Sequence, residues 1–247
     1  MARIDYVGHA TVLVDLDGVR LLTDPLLRNR VAHLRRSTPV SARSRRGVDA
    51  VLISHAHYDH LDRPSLELLD GSTRVVVPRG LRGLLPGRFD DVVEVDVGER
   101  VTVGGVTVEA TFADHDGSRR PFGASGPALG YLLTGSHKVY FAGDTDLYDG
   151  MSSLADGLDV ALLPIWGWGP KLGSRHLDPS SAAQALALLR PRIAVPIHWG
   201  TYHPLHLGLR RAPAYLREPA NRFRQLAAEI APEVDVRILQ PGESLQL

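Results

Sequence analysis

Three histidines and an aspartate fall within six residues in the run His55-Ala56-His57-Tyr58-Asp59-His60. A neutral imidazole offers a nitrogen lone pair and a carboxylate offers oxygen, and both suit Zn²⁺. The run follows Ala50–Ile53, an apolar stretch bounded by polar residues that reads as a buried strand. In an extended segment the side chains at i and i+2 point the same way, so His55 and His57 can meet one ion just past the strand end. Asp59 and His60 follow where the chain turns toward a helix, and there they can face a second ion. The chain has no cysteine, so a metal site must use histidine and carboxylate.

Further donors sit at the ends of other predicted strands. His115 follows Val106–Phe112 through Ala113-Asp114, Asp144 follows Val139–Ala142 through Gly143, and His198 follows Ile193–Ile197. Each alone is open, because a single histidine is more often structural and Gly-Asp is often a turn. Together they set a donor at the mouth of four strands, where loop-borne sites form in sheet proteins. His176 precedes Asp178-Pro179, a helix-start pair, and reads either as a backbone-bonded residue or as one beside a substrate. His9 lies in a strand-edge motif and reads as structural or as the partner of a ligand. His33, His137, His203 and His206 read as solvated. Trp199, next to His198, is the tryptophan expected near the site; Trp166 and Trp168 suit core or rim equally.

The elements that must position these groups are mostly short strands. Val12–Leu16 and Arg20–Thr23, joined through Asp17-Gly18, read as a hairpin. More strands are predicted at Arg74–Val77, Val92–Val95, Arg100–Val103, Leu129–Leu133, Val160–Leu163 and, closing the chain, Val234–Leu239. Helix signals follow Asp62 and Pro64, run from Asp178-Pro179 to Leu189, and cover Pro219–Ile230, where Phe223, Leu226, Ala227 and Ile230 form one apolar face. Residues 28–46 carry seven arginines and no clean period. They read as a long loop, either solvated or facing an anionic substrate. The mixture fits sheets covered by helices.

Composition bounds the rest. The chain has 247 residues, 44% hydrophobic and 23% charged, which suits one globular unit over 1–247 and argues against disorder. The formal net charge is zero, so nothing points to nucleic acid. No basic segment followed by an apolar run opens the chain, and nowhere do 18 apolar residues run together. The expectation is a cytoplasmic protein without a membrane-crossing segment.

His55-Ala56-His57-Tyr58-Asp59-His60 resembles the His-x-His-x-Asp-His signature of the metallo-β-lactamase superfamily. The likeness is nearest to the branch of N-acylphosphatidylethanolamine-hydrolysing phospholipase D and the ascorbate-phosphate lactonases. It is carried by Gly8-His9-Ala10-Thr11, Thr23-Asp24-Pro25, Phe141-Ala142-Gly143-Asp144-Thr145, Leu162-Leu163-Pro164-Ile165, His176-Leu177-Asp178-Pro179 and Ile197-His198-Trp199-Gly200-Thr201. The resemblance implies an α+β fold, the αβ/βα four-layer sandwich of two mixed sheets with helices on the outer faces. It implies that His55, His57 and His115 hold one Zn²⁺, that Asp59, His60 and His198 hold another, and that Asp144 bridges them. Mn²⁺ or iron can take the same donors. Asp24 would orient a ligand histidine through a hydrogen bond, and His176 would lie near the substrate's phosphate or leaving group. The implied reaction is hydrolysis of a phosphodiester, lactone or related ester, small or lipid-like, by a metal-bridging hydroxide whose proton Asp59 steers. The alternatives are an iron-dependent oxidoreductase on the same scaffold and a non-catalytic metal-binding module. The branch often self-associates, so a homo-oligomer is open.

This chain departs from the branch after His115, where Asp116 stands in place of an aromatic residue; this weakens the case for an acyl channel. Arg119 or Arg120 could still meet a phosphate. The absence of cysteine excludes the thiolate ligand of some β-lactam-hydrolysing branches.

Overall fold

A computed structural model describes residues 2–119, 123, 125–167, 175–205 and 216–247. In chain order the strands are β1 (Ala2–Gly8), β2 (Thr11–Leu16), β3 (Val19–Thr23), β4 (Arg30–Val31), β5 (Leu34–Arg36), β6 (Ala50–Leu52), β7 (Arg74–Pro78), β8 (Val92–Val95), β9 (Arg100–Val103), β10 (Val106–Phe112), β11 (Leu129–Thr134), β12 (Lys138–Phe141), β13 (Val160–Pro164), β14 (Ile193–Ile197), β15 (Tyr202–Pro204), β16 (Asp235–Val236) and β17 (Ser244–Gln246). The helices are α1 (Arg63–Leu66), α2 (Pro179–Leu189) and α3 (Glu218–Ile230).

Two seven-stranded sheets form, in the orders β17-β1-β2-β3-β6-β7-β8 and β16-β14-β13-β12-β11-β10-β9. Each joins an antiparallel meander to a parallel run: β1-β2-β3 passes into parallel β3-β6-β7-β8, and β9-β10-β11-β12 into parallel β12-β13-β14-β16. The period-2 alternation of strand side chains explains the layering. Val12, Val14, Leu21, Ala50, Leu52 and Val76 face the large core shared with the second sheet. Their neighbours Leu13, Leu22, Val51, Ile53, Val75 and Val77 form a separate cluster on the opposite face.

The parallel segments need crossovers. α2 links β13 to β14, and α3 links β14 to β16. The start of α2 is set by Asp178, whose carboxylate accepts from the amides of Ser180 and Ser181 at 2.8 and 2.9 Å, with Pro179 in the first turn. The helix stops at Arg190, which turns left-handed at φ 44°. The cover over the first sheet is thinner than the expected helical layer. There α1 has only four residues, and a 3-10 turn at Arg82–Leu84 is the sole helical turn between β7 and β8. Glycine and proline at Gly80, Gly83, Pro86 and Gly87 keep that connection from becoming a helix.

Two expectations are corrected. Residues 28–46 are not simply a loop: β4 and β5 pair with β15 in a third, small sheet, and a 3-10 turn covers Ala42–Arg45. The chain does not close on a long strand at Val234–Leu239; only Asp235–Val236 pairs there, and β17 returns to β1. The Asp17-Gly18 hairpin forms with register Leu16 to Val19. Among the described residues no helix is long and apolar enough to cross a membrane.

The sheets are tied together by buried polar contacts. Tyr6 Oη donates to Trp199 O at 2.8 Å, and Tyr131 Oη donates to Ile53 O at 2.6 Å. Burial pushes the Tyr6 phenol from its ordinary value up to about 12. A phenol raised in the fold stabilises it fully below the unfolded value near 10, and that contribution is lost as pH rises towards 12. Stability measured by urea titration should fall by roughly 2–3 kcal/mol across this window on account of Tyr6. Tyr6→Phe should be less stable at neutral pH and show a flatter alkaline loss; an unchanged slope would place the titration elsewhere.

Candidate metal centre

The strands that approach the site run the same way within each sheet, so their carboxyl ends gather. His9 follows β1, Asp24 follows β3, His55 follows β6, His115 follows β10, Asp144 follows β12 and His198 follows β14. Carboxyl ends of strands are the common location for sites in sheets with parallel crossovers. The donor atoms fall into overlapping groups, each within 4.8 Å: His55, His57 and His115; His9, Asp59, His60 and His198; His55, His60 and Asp144; and His115, Asp144 and His176.

Hydrogen bonds on the outer side of the cluster decide which nitrogen faces inward. Asp24 is fully buried, and its Oδ1 accepts from Ser54 N at 2.7 Å. Its Oδ2 accepts from Ser54 Oγ at 2.6 Å and from His60 Nδ1 at 2.7 Å. Ser54 Oγ has thereby given its proton to Asp24, so it accepts from His55 Nδ1 at 2.9 Å. His115 Nδ1 donates to Arg175 O at 2.9 Å. Each of these three histidines therefore turns Nε2 toward the cluster. His57 faces it through Nδ1, at 2.9 Å from His55 Nε2 and 3.3 Å from His115 Nε2. In the other half, His198 Nε2 lies 3.3 Å from His60 Nε2, and Asp59 Oδ2 lies 3.5 and 3.7 Å from these two nitrogens.

These separations match donors converging on one point. Bonds of about 2.0–2.1 Å in a tetrahedral site put ligand atoms roughly 3.3 Å apart. His55 and His115, as neutral imidazoles whose single N–H is already used at Nδ1, cannot donate across the centre. Asp144 supplies the sharper test. Its Oδ2 lies 3.3 Å from His60 Nε2 and 3.6 Å from His176 Nε2, and its Oδ1 lies 3.4 Å from His198 Nε2. That Oδ1 is buried without a hydrogen-bond donor among the described residues. A buried carboxylate oxygen left unbonded is costly, and a cation is the partner such a ring of nitrogens can hold for it. The residues present fit a pair of divalent ions.

The charges agree with this. Burial alone would raise the Asp144 and Asp59 carboxyls, but His198 and His60 beside Asp144, and His60, His198 and His9 around Asp59, hold both well below the usual range. Burial would lower His60, yet Asp144, Asp59 and Asp24 together hold it well above its ordinary value. Burial pushes His55, His57 and His115 down, with His60 adding to the effect on the first two. Burial also takes His9 down to about 3. Neutral imidazole lone pairs thus surround one imidazolium and two carboxylates.

The backbone is strained where donors enter. His9, Asp24 and His198 have φ of 58°, 32° and 64° without being glycine. Gly143, at φ 63°, must be glycine: a Cβ there would stand 2.7 Å from Leu129 O and 2.9 Å from Ser54 Cβ. Strain of this kind persists only where the surroundings enforce it. Here His198 N donates to His9 O at 2.8 Å, and His9 N donates to Thr201 Oγ1 at 2.6 Å.

Several neighbours stand elsewhere than expected. Arg119 is buried, and it donates to Ala56 O and Leu61 O, both at 2.7 Å. Its guanidinium lies 4.1 Å from the Tyr58 ring centroid, so it braces the 56–61 loop instead of facing a substrate. Trp199 is turned into the body, bonded to Pro196 O through Nε1 and stacked on Tyr6, and it borders the pocket shared with His9 and His198. His203 is buried in β15 and not solvated; burial and Arg35 lower its imidazole. Arg36 is also buried and donates to the carbonyls of Val7, Leu26 and Thr38, a structural use of the arginine-rich segment. Arg28 makes a two-pronged pair with Asp62, the residue that caps α1. Arg120, Trp168 and His206 lie outside the described residues. Sequence reasoning missed Ser54 and Arg175, whose oxygens orient His55 and His115; only the position of Ser54 between strand end and His55 hinted at its role.

Behind His9 and His198 lies a pocket bordered by Trp166, Trp199 and Tyr202. On the other side His57, His115 and His176 are partly exposed, and Tyr58 is 66% exposed.

Comparison with known proteins agrees with this geometry. The family described as Beta-lactamase superfamily domain matches residues 19–199. A metal-dependent hydrolase of Methanopyrus kandleri is 32% identical over 99% of this chain and 99% of its own. N-acyl-phosphatidylethanolamine-hydrolyzing phospholipase D 1 of Caenorhabditis elegans is 31% identical over 90% of this chain and 68% of its own. The solved structure of Igni18, a metallo hydrolase of Ignicoccus hospitalis, superposes with a TM-score of 0.75 at 25% identity, covering 99% of this chain and 97% of that one.

Two outcomes are expected of the site. A ligating nitrogen must be deprotonated, and His60 holds its proton at neutral pH in the metal-free protein. Zinc uptake at pH 7 should therefore release about one proton from His60, read by calorimetry in two buffers of different ionisation enthalpy. Heats that do not depend on buffer would contradict it. Gly143→Ala should cost about 1–3 kcal/mol in urea unfolding and weaken metal binding, since Asp144 is the next residue.

Proposed function

This chain belongs to the β-lactamase superfamily domain family and is a metal-dependent hydrolase, and we propose that it works through two Zn²⁺ ions on an ester-type substrate. His55, His57 and His115 hold one ion, Asp59, His60 and His198 the other, and Asp144 is shared. The observation that carries the reading is Asp144, whose Oδ1 is buried without a hydrogen-bond donor amid imidazole nitrogens at 3.3–3.6 Å from its two oxygens. When bound, the ions supply a lowered pKa for water and Lewis acidity at a carbonyl or phosphoryl oxygen.

The chain's own residues do the remaining work. Asp24 and Ser54 hold His60 and His55 through Nδ1, so both rings aim Nε2 at the centre. Asp59 lies at the junction of the His9, His60 and His198 nitrogens, placed to steer a proton. His176 is partly exposed, its Nε2 lies 3.6 Å from Asp144 Oδ2, and its ring meets His115 edge-on at 4.5 Å. It is held there because Leu177 is buried and its amide donates to Thr145 O at 2.7 Å. We assign it the leaving-group oxygen, to which its imidazole can pass a proton.

We place the substrate on the side of His57, His115, His176 and Tyr58, where these described side chains are partly or largely exposed. A phosphodiester, a lactone or a related small or lipid-like ester fits a site that offers positive charge and no protein nucleophile. The name of the Caenorhabditis elegans relative supports the phosphodiester class. Zinc is favoured by the imidazole-rich donor set, although manganese and iron share these ligands.

His57→Ala and Asp144→Ala should each lose metal and activity. His176→Ala should keep both ions while turnover on a panel of phosphodiesters, lactones and esters falls about 10²-fold or more. Elemental analysis of the purified protein reads the metal directly. Wild-type protein that carries no transition metal, or keeps full turnover after chelation, would overturn the reading.

A further inference from the structure

The turn between β1 and β2 carries a histidine that touches one half of the centre. His9 is 4% exposed. Its Nε2 lies 2.8 Å from Asp59 Oδ2, and its ring centroid lies 3.8 Å from that of His198, tilted by 40°. Its backbone is engaged as well, with N on Thr201 Oγ1 and O accepting the His198 amide. Among the described residues its ring neighbours are His60, His198 and Tyr202.

We infer that His9 is a positioning residue that sets the metal affinity of the Asp59, His60 and His198 half specifically. The inference rests on the two-ion reading above. A carboxylate oxygen has two lone pairs, so Asp59 Oδ2 can accept from His9 Nε2–H and still face an ion. That bond restrains the rotation of the Asp59 side chain, and the tilted ring against His198 restrains that imidazole in the same way. Partners of this kind typically change metal affinity about 10–100-fold. The left-handed backbone at φ 58° is part of the device, because it accompanies a ring set between Asp59 and His198.

The test uses His9→Asn, which tolerates positive φ but whose amide is too short to reach Asp59, and His9→Gln, whose terminal amide nitrogen reaches as far as the imidazole Nε2. Zinc titration of metal-free protein should give two ions for wild type. His9→Asn should bind one ion as before and a second at least about tenfold more weakly, while His9→Gln should regain most of the second affinity. His57→Ala removes a ligand of the other half, so the double variant His57→Ala/His9→Asn should keep only the weakened site, about tenfold or more below the affinity that His57→Ala alone retains. Two unaltered affinities in His9→Asn would overturn the inference and leave the two-ion reading standing. Equal loss in His9→Asn and His9→Gln would overturn the hydrogen-bond argument. Loss of the far-ultraviolet circular dichroism spectrum in both metal-free variants would assign His9 to the fold and overturn the inference. Wild-type protein that takes up fewer than two ions would instead sink the reading on which the inference rests.

Discussion

A carboxylate with no access to water organises this molecule. Asp24 accepts hydrogen bonds from Ser54 N, Ser54 Oγ and His60 Nδ1, while its own amide donates to Leu52 O. Burial pushes its carboxyl up, and His60 is the first group that opposes this. A buried anion in such a place must be satisfied by strong donors, and hydrogen bonds to charged groups contribute roughly 1.5–3 kcal/mol each. The same bonds that satisfy Asp24 turn His60 and, through Ser54, His55 toward the centre. Stability of the fold and readiness of the site are therefore one requirement at this position.

The sandwich serves that requirement by bringing strand ends together from two sheets. β1, β3 and β6 end on one side of the centre; β10, β12 and β14 end on the other. Where they meet, the chain accepts left-handed backbone at His9, Asp24 and His198, at a cost of roughly 1–2 kcal/mol each. The contacts His198 N to His9 O and Leu129 N to Ser54 O join the sheets at those points. A loosened core would let the halves drift, and donors a few ångströms apart would no longer share ions.

Two arginines that look available for substrate in the sequence, Arg36 and Arg119, are spent on this framework. Arg119 holds the carbonyls on either side of the Tyr58-Asp59-His60 turn, and Arg36 gathers three carbonyls near Gly8, where an added Cβ would come within 2.7 Å of its guanidinium. Both bury a charge and lower its pKa through burial. Among the described residues of the donor cluster, His57, Asp59, His115 and His176 keep some exposure to solvent, beside the exposed Tyr58.

Much of the fold and most of the donor set were legible because they are local. The apolar runs gave β8, β9, β10 and β14 with their observed limits, the Asp178-Pro179 signal gave α2, and six residues after β6 displayed their ligand chemistry by spacing alone. His115, Asp144 and His198 could be suspected only from their places after strands. That they meet is decided by the pairing of strands far apart in the chain, and no local pattern encodes it. The uses of Ser54, Arg119, Trp199 and His203 were likewise settled by neighbours distant in sequence. A side chain's residue type states what it can bond, and periodicity states which element carries it. Its partner, its inward nitrogen and its backbone strain depend on contacts made when the two sheets close, so those belonged to the tertiary structure alone.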